Sequence, residues 1–286
     1  MQTPEGLTDL LKLKQIDAFN YEGQNYHTVW KRVYGGQVLA QSLHAAYKTI
    51  SEDRTVHSLH GYFILSGDLE IPITYSVENL RDGGSFSTRR VTAYQNEKAI
   101  FVLSASFQIA QKGLEQHNDF PTQANPEDLI SDTDLLKNTS TVSDRVKLHL
   151  LARNPFAFEF RPEKDYSYRI SPQENRNVWF KLKESVSLSQ QQQHEFLAYV
   201  VDYDLLIMSI ISHFQEEFDQ PLQVASLDHA MWFHRPFDVN QWLLFSMHSP
   251  NASGARCLGQ GSIFDRQGNL VASVVQEGLA RPNQSE

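Results

Sequence analysis

The first half of the chain carries one helical pattern followed by four strand patterns. Apolar residues recur at helical spacing through residues 34–50, YGGQVLAQSLHAAYKTI, behind a Gly-Gly breaker. Strand-like runs follow at 56–65, 73–83, 85–95 and 99–110. The turns RDGG and QNEK between them are typical of tight antiparallel hairpins. This half is therefore predicted to be a helix followed by an antiparallel sheet.

The second half repeats this order of elements. A strongly apolar pattern predicts a single helix over residues 192–214. Two short strand patterns precede it, at 156–162 and 175–185, and four follow it, at 223–237, 241–249, 255–265 and 269–280. The second half is therefore predicted to have the same architecture as the first.

The spacing of aromatic and amide residues supports an internal duplication. Gln276 follows Phe233 at nearly the same distance as Gln108 follows Phe63. A repeated order of elements at matching spacing indicates a duplicated unit. One helix followed by consecutive antiparallel strands is typical of an α+β unit in which the sheet wraps around the helix. We predict two such units in one chain.

A polar segment joins the two units. Residues 112–151 are rich in Asp, Asn, Gln, Ser, Thr and Pro, and we expect them to cross the surface as a linker with at most a short helix. The chain is accordingly expected to divide into an N-terminal repeat, a linker and a C-terminal repeat, at 1–111, 112–151 and 152–286.

Composition narrows the classes of function. The formal net charge is −9 and the pI is about 5.6, which argues against nonspecific binding to nucleic-acid phosphates or to anionic membranes. Cys257 is the one cysteine, so neither an intramolecular disulfide nor a cysteine-rich zinc site can form. The 11 histidines show no metal-binding spacing such as H-E-x-x-H. We expect no metal and no cofactor.

Targeting signals are also missing from the sequence. The N-terminal residues lack a positive start followed by an apolar stretch, and no apolar run reaches the roughly 18 residues that span a bilayer. The last residues, NQSE, differ from the peroxisomal tripeptide. We expect a soluble, cytoplasmic protein without membrane insertion.

Five motifs together resemble one family. They are RVYGGQVLAQSLHAA, VHSLHGYF, LRDGGSFSTRRV, LDHAMWFHRPF and VQEGLAR, and they run in order from Arg32 to Arg281. In this order they resemble the acyl-CoA thioesterases of the type II family. The resemblance implies a double hotdog, in which two repeats each wrap an antiparallel sheet around a long helix and the two sheets join edge to edge. It also implies hydrolysis of acyl-CoA to a free fatty acid and CoA.

The same resemblance implies three catalytic residues that hold the attacking water. They fall on Asp202 in YVVD, Ser226 in VASLDHAMW and Gln276 in VQEG. Many relatives have Thr in place of Ser226, but either hydroxyl can donate and accept a hydrogen bond. Asp204 stands two positions beyond Asp202, and Tyr199, three residues before the acid, favours Asp202.

Thioester hydrolysis needs a held water, a proton acceptor and donors that face the developing oxyanion. Helical neighbours such as Tyr199 and Leu206 predict a partly desolvated Asp202 that can act as the base. Ser226 lacks a G-x-S-x-G elbow, so it is expected to orient water rather than attack the thioester. Gln276 offers donors and an acceptor without adding charge. The oxyanion is expected to meet backbone N–H groups at a helix start.

The remaining polar residues are expected to be mainly structural. Strict alternation would place Ser226 and Asp228 on one side of their strand and His229 on the other. We therefore assign Asp228, His229, His234 and Arg235 hydrogen-bonding roles in the shared sheet.

Some of the polar residues could touch substrate instead. The Gly35-Gly36 turn could let the thioester approach closely, although tight packing explains it equally well. His57 and His60 are expected to share one strand face and to be structural. CoA phosphates could be met by an arginine, and the candidates are Arg89, Arg90 and Arg235.

Two other functions remain open from the sequence. The hotdog architecture also hosts enoyl-CoA hydratases and dehydratases, and the third possibility is a non-catalytic acyl-CoA-binding protein. Hydration usually needs a histidine in an acid–base pair, and the three proposed residues include none. We expect a thioesterase for medium- to long-chain fatty acyl-CoA that forms a homo-oligomer, a dimer or a tetramer.

Overall fold

The computed structural model describes residues 3–27, 31–137, 151, 157–164, 174–211 and 222–282. The first half contains two helices and six strands within these ranges: α1 Pro4–Leu11, β1 Lys14–Gln15, β2 Asn20–Gly23, α2 Gly35–Tyr47, β3 Arg54–Phe63, β4 Ile73–Asp82, β5 Phe86–Gln95 and β6 Lys98–Ile109. The predicted helix and four strands are confirmed to within a few residues at each end. The short elements α1, β1 and β2 were not predicted.

Local chemistry explains where these elements begin and turn. α2 begins at the predicted breaker, Gly35 and Gly36. The loop between β5 and β6 consists of Asn96 and Glu97, with φ of 48° and 63°. Two successive left-handed residues form the tight turn whose twist matches that of the flanking strands. The predicted QNEK hairpin is therefore confirmed.

Within the described ranges, a short 3₁₀ helix, Pro126–Asp128, is followed by three helices and seven strands. They are α3 Asp132–Lys137, β7 Phe158–Pro162, β8 Arg176–Leu182, α4 Gln190–Val201, α5 Leu205–Ile211, β9 Leu222–Ser226, β10 Asp228–Phe233, β11 Leu243–Ser253, β12 Arg256–Phe264 and β13 Leu270–Pro282.

The prediction of one unbroken helix over 192–214 was wrong. The chain leaves α4 at Asp202 and re-enters a helix at Leu205, and residues 212–214 lie outside the described part of the chain. Aspartate is a weak helix former whose carboxylate is disfavoured at a helix C-terminus. The break leaves the Asp202 side chain at a helix end instead of within a helical face.

The strands of the described residues pair into one antiparallel sheet. Its order is β1-β2-β4-β5-β6-β3-β10-β13-β12-β11-β8-β7, and β9 also pairs with β13. The halves meet where β3 pairs with β10, for example Met231 with Leu59. The two sheets are therefore joined edge to edge through main-chain hydrogen bonds.

The strand register confirms that the two halves are duplicated. In the first half, Phe63 of β3 pairs with Phe101 of β6. In the second half, Phe233 of β10 pairs with Ala272 of β13. The strands also follow one another in the same order on each side of the β3–β10 seam. The strands β1 to β6 of the first half therefore have structural counterparts in the second half.

The correspondence between Gln108 and Gln276 that the spacing had indicated was wrong. Counting from the paired phenylalanines, the counterpart of Gln276 is Ala105, and Gln108 lies three residues further along β6. Spacing along the sequence also counts the residues of the hairpin loops, whereas strand pairing does not. The small difference between the two spacings was sufficient to misalign the repeats.

The helices α2 and α4 pack antiparallel against each other beneath the seam. The Tyr34 hydroxyl, before α2, donates to the Tyr199 carbonyl near the end of α4 at 2.8 Å. At the opposite end, Tyr47 Oη lies 3.0 Å from His194 Nδ1. The largest apolar cluster contains residues from both halves. The two repeats thus share a core.

The described part of the linker runs along the second half. Trp179 Nε1 donates to the Ala124 carbonyl, and Phe120 packs on the Trp179 ring. Arg235 pairs with Glu115 at 2.9 Å. The predicted short helix within the linker is confirmed by α3. Within the described ranges, none of the helices combines the length and apolar character that crossing a bilayer requires.

Candidate active site

Asp202 occupies the junction between the two halves. It is the capping residue at the C-terminal end of α4, and its side chain is only 4% exposed. A carboxylate at a helix C-terminus is disfavoured by the helix dipole. Its Oδ2 atom, however, faces the start of α2, because a Cβ on Gly35 would stand 2.6 Å from it. The positive end of α2 therefore offsets the unfavourable end of α4.

Gln276 joins the other two predicted residues. Its side chain, on β13, is fully buried, and Nε2 donates to Asp202 Oδ1 at 2.8 Å and to Ser226 Oγ at 2.9 Å. Both N–H groups of one amide are thus used to hold an acid and an alcohol together. Ser226 accepts this bond, so its own hydroxyl hydrogen is available to another group. The structure brings Asp202, Ser226 and Gln276 into one cluster.

A β-bulge turns Ser226 toward this cluster. Ser226 pairs with Gly278, whereas Ala230 pairs with Val275, so Leu227 and Asp228 together oppose a single residue of β13. An extra residue reverses the alternation of side chains beyond it. The prediction that Ser226 shares a face with Asp228 was therefore wrong.

The bulge brings His229 into the cluster, a residue that we had assigned to structural hydrogen bonding. Its Nδ1 lies 3.5 Å from Asp202 Oδ1, and its side chain is 0% exposed. Neither ring nitrogen has a hydrogen-bond partner among the described residues. The bulge is the signal that would have identified His229, and the sequence pattern does not reveal it. Asp228 does have a structural role, since it accepts a bond from the Glu277 N–H at 2.7 Å.

The start of α2 lacks a side-chain cap, whereas the start of α4 has one. Ser189 and Gln192 cap α4 reciprocally in a capping box. At α2 the capping residue is Tyr34, and it makes no side-chain capping bond. The first N–H groups of a helix have no partner within the helix itself. The N–H groups at Gly35 and Gly36 are therefore placed to bind an anion beside Asp202.

Gly36 has a packing role in addition. A Cβ at this position would lie 2.3 Å from the Tyr199 carbonyl oxygen and 2.6 Å from the Tyr34 ring. Only glycine permits α2 and α4 to approach this closely. Both of the predicted roles of the Gly-Gly turn are thus compatible with the geometry, Gly35 beside the acid and Gly36 at the helix crossing.

Tyr34 is not available as a base. Burial raises its pKa well above the ordinary value, and the nearby Asp202 carboxylate raises it further. The neutral hydroxyl donates to the Tyr199 carbonyl. Tyr34 therefore serves as a hydrogen-bond donor beside the cluster.

A pocket of about 230 Å³ opens beside Ser226. Gly35 and Ser226, one from each half, are among the residues that line it, and Arg32 and Ser66 are its other polar lining residues. Its walls are largely apolar and are provided by Val33, Val38, Phe63, Ile64, Leu65, Ile100, Phe101 and Leu227. A slot of this kind suits an apolar chain whose polar end reaches the cluster.

The other residues considered from the sequence lie in different contacts. Arg89 is buried and pairs with Asp82 at 2.8 Å, so it is structural. Arg235 is held by Glu115. His57 Nε2 lies 2.8 Å from Ser106 Oγ, and burial lowers the pKa of its imidazole.

Arg90 and His60 line a shallow groove, together with Tyr62. The His60 ring also packs edge to face against Trp232. His234 Nε2 lies 2.9 Å from Ser273 Oγ, in keeping with the structural role that we expected.

Known families and proteins match the chain over nearly its whole length. The profile described as acyl-CoA thioesterase matches residues 152–279, and that described as the acyl-CoA thioesterase N-terminal domain matches residues 24–108. Acyl-CoA thioesterase 2 of Haemophilus influenzae is 37% identical over 276 residues, which cover 96% of each chain.

Solved structures give the same picture. An acyl-CoA thioesterase II, TesB2, from Mycobacterium marinum matches with a TM-score of 0.80 at 36% identity, over 97% of this chain and 99% of that one. A protein of unknown function with a hot dog fold from Alicyclobacillus acidocaldarius matches with a TM-score of 0.74 at 15% identity, over 96% and 98%. The second likeness concerns the fold alone.

Proposed function

The chain belongs to the acyl-CoA thioesterase family, and from this premise we propose that a water held by Asp202, Ser226 and Gln276 hydrolyses fatty acyl-CoA. Membership makes the chain a thioester hydrolase acting on acyl-CoA, with the double hotdog fold. The predicted family, fold class and enzyme class are thereby confirmed. The observation that carries the proposal is the Gln276 amide that links Asp202 to Ser226 beside the pocket.

Asp202 acts as the general base in this proposal. Its Oδ1 is occupied by Gln276, and its Oδ2 faces the start of α2, so Oδ2 takes the proton of the attacking water. The water oxygen bonds to the thioester carbon, and the carbonyl oxygen becomes negative. When the C–S bond breaks, the CoA thiolate receives the proton from Asp202, and the carboxylate is restored. Ser226 and Gln276 orient the water and the acid.

The start of α2 supplies the donors for the oxyanion. The N–H groups of Gly35 and Gly36 lack a side-chain cap and stand beside Asp202. Fixed donors directed at the developing charge stabilise the transition state more than the substrate. This role explains why the α2 start is uncapped, whereas the equivalent start of α4 has a capping box.

The pocket indicates the acyl part of the substrate. Its walls are aliphatic and aromatic, and Ile64 and Leu65 are each about half exposed near its opening. An apolar slot gains binding free energy with each methylene that it removes from water. We therefore propose medium- to long-chain fatty acyl-CoA as the substrates. Thiol release over a series of acyl lengths should show kcat/KM rising with chain length.

Family membership favours thioester hydrolysis over hydration of an enoyl-CoA. His229 does stand beside Asp202, so an Asp–His pair is present. Burial of the imidazole does not separate the two reactions, because Asp202 and Gln276 are also buried and also lie outside the pocket lining. No feature of the described residues favours a non-catalytic acyl-CoA-binding role.

Replacing the acid tests the mechanism. Asp202→Asn keeps the shape of the side chain and removes the base, so kcat for thiol release should fall at least about 100-fold. Far-ultraviolet circular dichroism should show the fold intact. Asp204→Asn is the matched control, because Asp204 lies two residues away on the same helix break. A kcat for Asp202→Asn within a few-fold of wild type would contradict the mechanism.

Two further expectations stay predictions. We expect a dimer or tetramer because proteins of related fold commonly form symmetric oligomers. We expect a cytoplasmic location from the composition. Size-exclusion chromatography with light scattering would measure the first.

A further inference from the structure

His229 is a buried polar side chain that the proposed mechanism does not use. Its exposed fraction is 0%, and neither ring nitrogen has a hydrogen-bond partner within the described ranges. A buried polar group without a partner costs free energy, and most native structures avoid it. The nearest acceptor is Asp202 Oδ1, 3.5 Å from His229 Nδ1.

The fold itself does not need a histidine at this position. The paired phenylalanines of the two halves, Phe63 and Phe233, make Leu59 the counterpart of His229. Leu59 is fully buried in the first half, where it serves the core as an ordinary apolar residue. An imidazole in its place removes apolar packing and adds a desolvation cost. The presence of histidine instead of leucine at position 229 is therefore not explained by the stability of the fold.

The counterparts of the catalytic residues show the same change of character. Ala105 is the first-half counterpart of Gln276. Val56 is the counterpart of Ser226, because Val56 pairs with Phe107 in the first half as Ser226 pairs with Gly278 in the second. Both are buried and apolar in the first half. The polar set, His229 included, is thus confined to one repeat. His229 belongs with the site.

We propose that His229 is a positioning residue that holds Asp202 through an Nδ1–H bond to Oδ1. The inference rests on the proposed role of Asp202. Gln276 already donates to Oδ1, so a second donor there fixes the carboxylate plane and leaves Oδ2 for the water proton. Such bonds are often long without substrate and tighten in the reacting complex. His229 contacts the acid and not the substrate.

The atom involved makes the proposal testable by substitution. The amide nitrogen of Asn occupies nearly the position of Nδ1, whereas that of Gln reaches toward the position of Nε2. Only Nδ1 lies near the carboxylate. His229→Leu introduces the side chain that the other repeat already accommodates, so it removes the donor with little change in packing.

Steady-state thiol release from a long-chain acyl-CoA is the assay. His229→Leu should lower kcat about 10- to 100-fold with KM changed less than about twofold, since a hydrogen bond to a charged group is lost. His229→Asn should recover kcat to within about fivefold of wild type, and His229→Gln should stay as low as His229→Leu. His60→Leu, which replaces an exposed histidine of β3, is the matched control and should leave kcat unchanged.

A double variant separates positioning from a structural role. If His229 acts through the acid, Asp202→Asn with His229→Leu should be no slower than Asp202→Asn alone. The inference would be overturned if the fold-losses in kcat of the two single variants multiplied in the double variant. It would also be overturned if His229→Leu had the kcat of wild type. Equal losses in all three His229 variants with lowered melting temperatures would overturn it too. An active Asp202→Asn would instead refute the proposed function, so the two failures are distinguishable.

Discussion

At the scale of residues, the site combines side chains that the sequence identified with one that it did not. Asp202, Ser226 and Gln276 were assigned by resemblance, and the structure brings them within hydrogen-bonding distance, while their catalytic role stays a prediction. His229 was assigned to the sheet and instead lies against Asp202. Strict alternation could not reveal this, because the extra residue of a bulge depends on how two strands pair.

A second buried histidine should make stability depend on pH. Burial lowers the pKa of His194 to about 4, from 6.5. Tyr47 holds one side of this ring, since its hydroxyl accepts the Val56 N–H and lies 3.0 Å from His194 Nδ1. An unfolded chain takes up this proton below pH 6.5, whereas the folded chain does so only near pH 4. Stability from His194 is therefore present above pH 6.5 and is lost as the pH falls toward 4.

The expected size follows from the difference in pKa. Between about pH 7 and pH 5, His194 should lower the free energy of unfolding by about 2 kcal/mol. Urea unfolding at both pH values, for wild type and His194→Asn, measures this. The variant starts from a lower stability but should lose about 2 kcal/mol less than wild type over this interval. Equal losses in the two proteins would contradict the assignment.

At the scale of elements, two departures from regular geometry shape the site. The break between α4 and α5 sets Asp202 at a helix end, and the bulge at Leu227 and Asp228 turns Ser226 inward. A similar irregularity in the register of β3, between Val56 and Ser58, shows that the bulge is part of the duplicated design. At the positions that correspond to Ser226 and His229, however, the first half has the apolar residues Val56 and Leu59.

The crossing of α2 and α4 should be sensitive to one methyl group. Ala is normally the better helix former, by about 1 kcal/mol over Gly. Gly36→Ala should nevertheless lower the free energy of unfolding by about 1–3 kcal/mol, since its Cβ would meet the Tyr199 carbonyl oxygen at 2.3 Å. Urea unfolding measures the change.

The control for this substitution is Gly84→Ala. A Cβ at Gly84 meets nothing within 4 Å, so stability should change by less than about 0.5 kcal/mol. If Gly36→Ala were as stable as Gly84→Ala, the close approach of the two helices would not be a real constraint.

At the scale of the whole molecule, neither repeat contains all parts of the proposed site. The acid, the alcohol and the amide come from the second half, whereas the open helix start and most pocket walls come from the first. The β3–β10 seam and the α2–α4 packing hold these parts together. Activity should therefore require both halves but not the covalent link between them.

Cutting the linker tests this dependence. A protease site inserted at Gly113, where a Cβ would meet no atom within 4 Å and Leu114 beside it is fully exposed, should be cleaved readily. After cleavage the two fragments should elute together in size-exclusion chromatography and keep nearly all of kcat. The uncut insertion variant is the control. Separation of the fragments, or loss of activity on cleavage, would show that the linker itself holds the halves together.

The sequence by itself determined most of the elements, the duplication, the family and three candidate site residues. Helical and strand periodicity and turn residues such as Asn96 depend on residues that are close in sequence, so the sequence alone reveals them. Tertiary structure decided that α4 ends at Asp202, that Ala105 is the counterpart of Gln276, and that His229 faces the acid. These features depend on strand register and on which helix ends meet, and both are set by contacts between residues far apart in sequence.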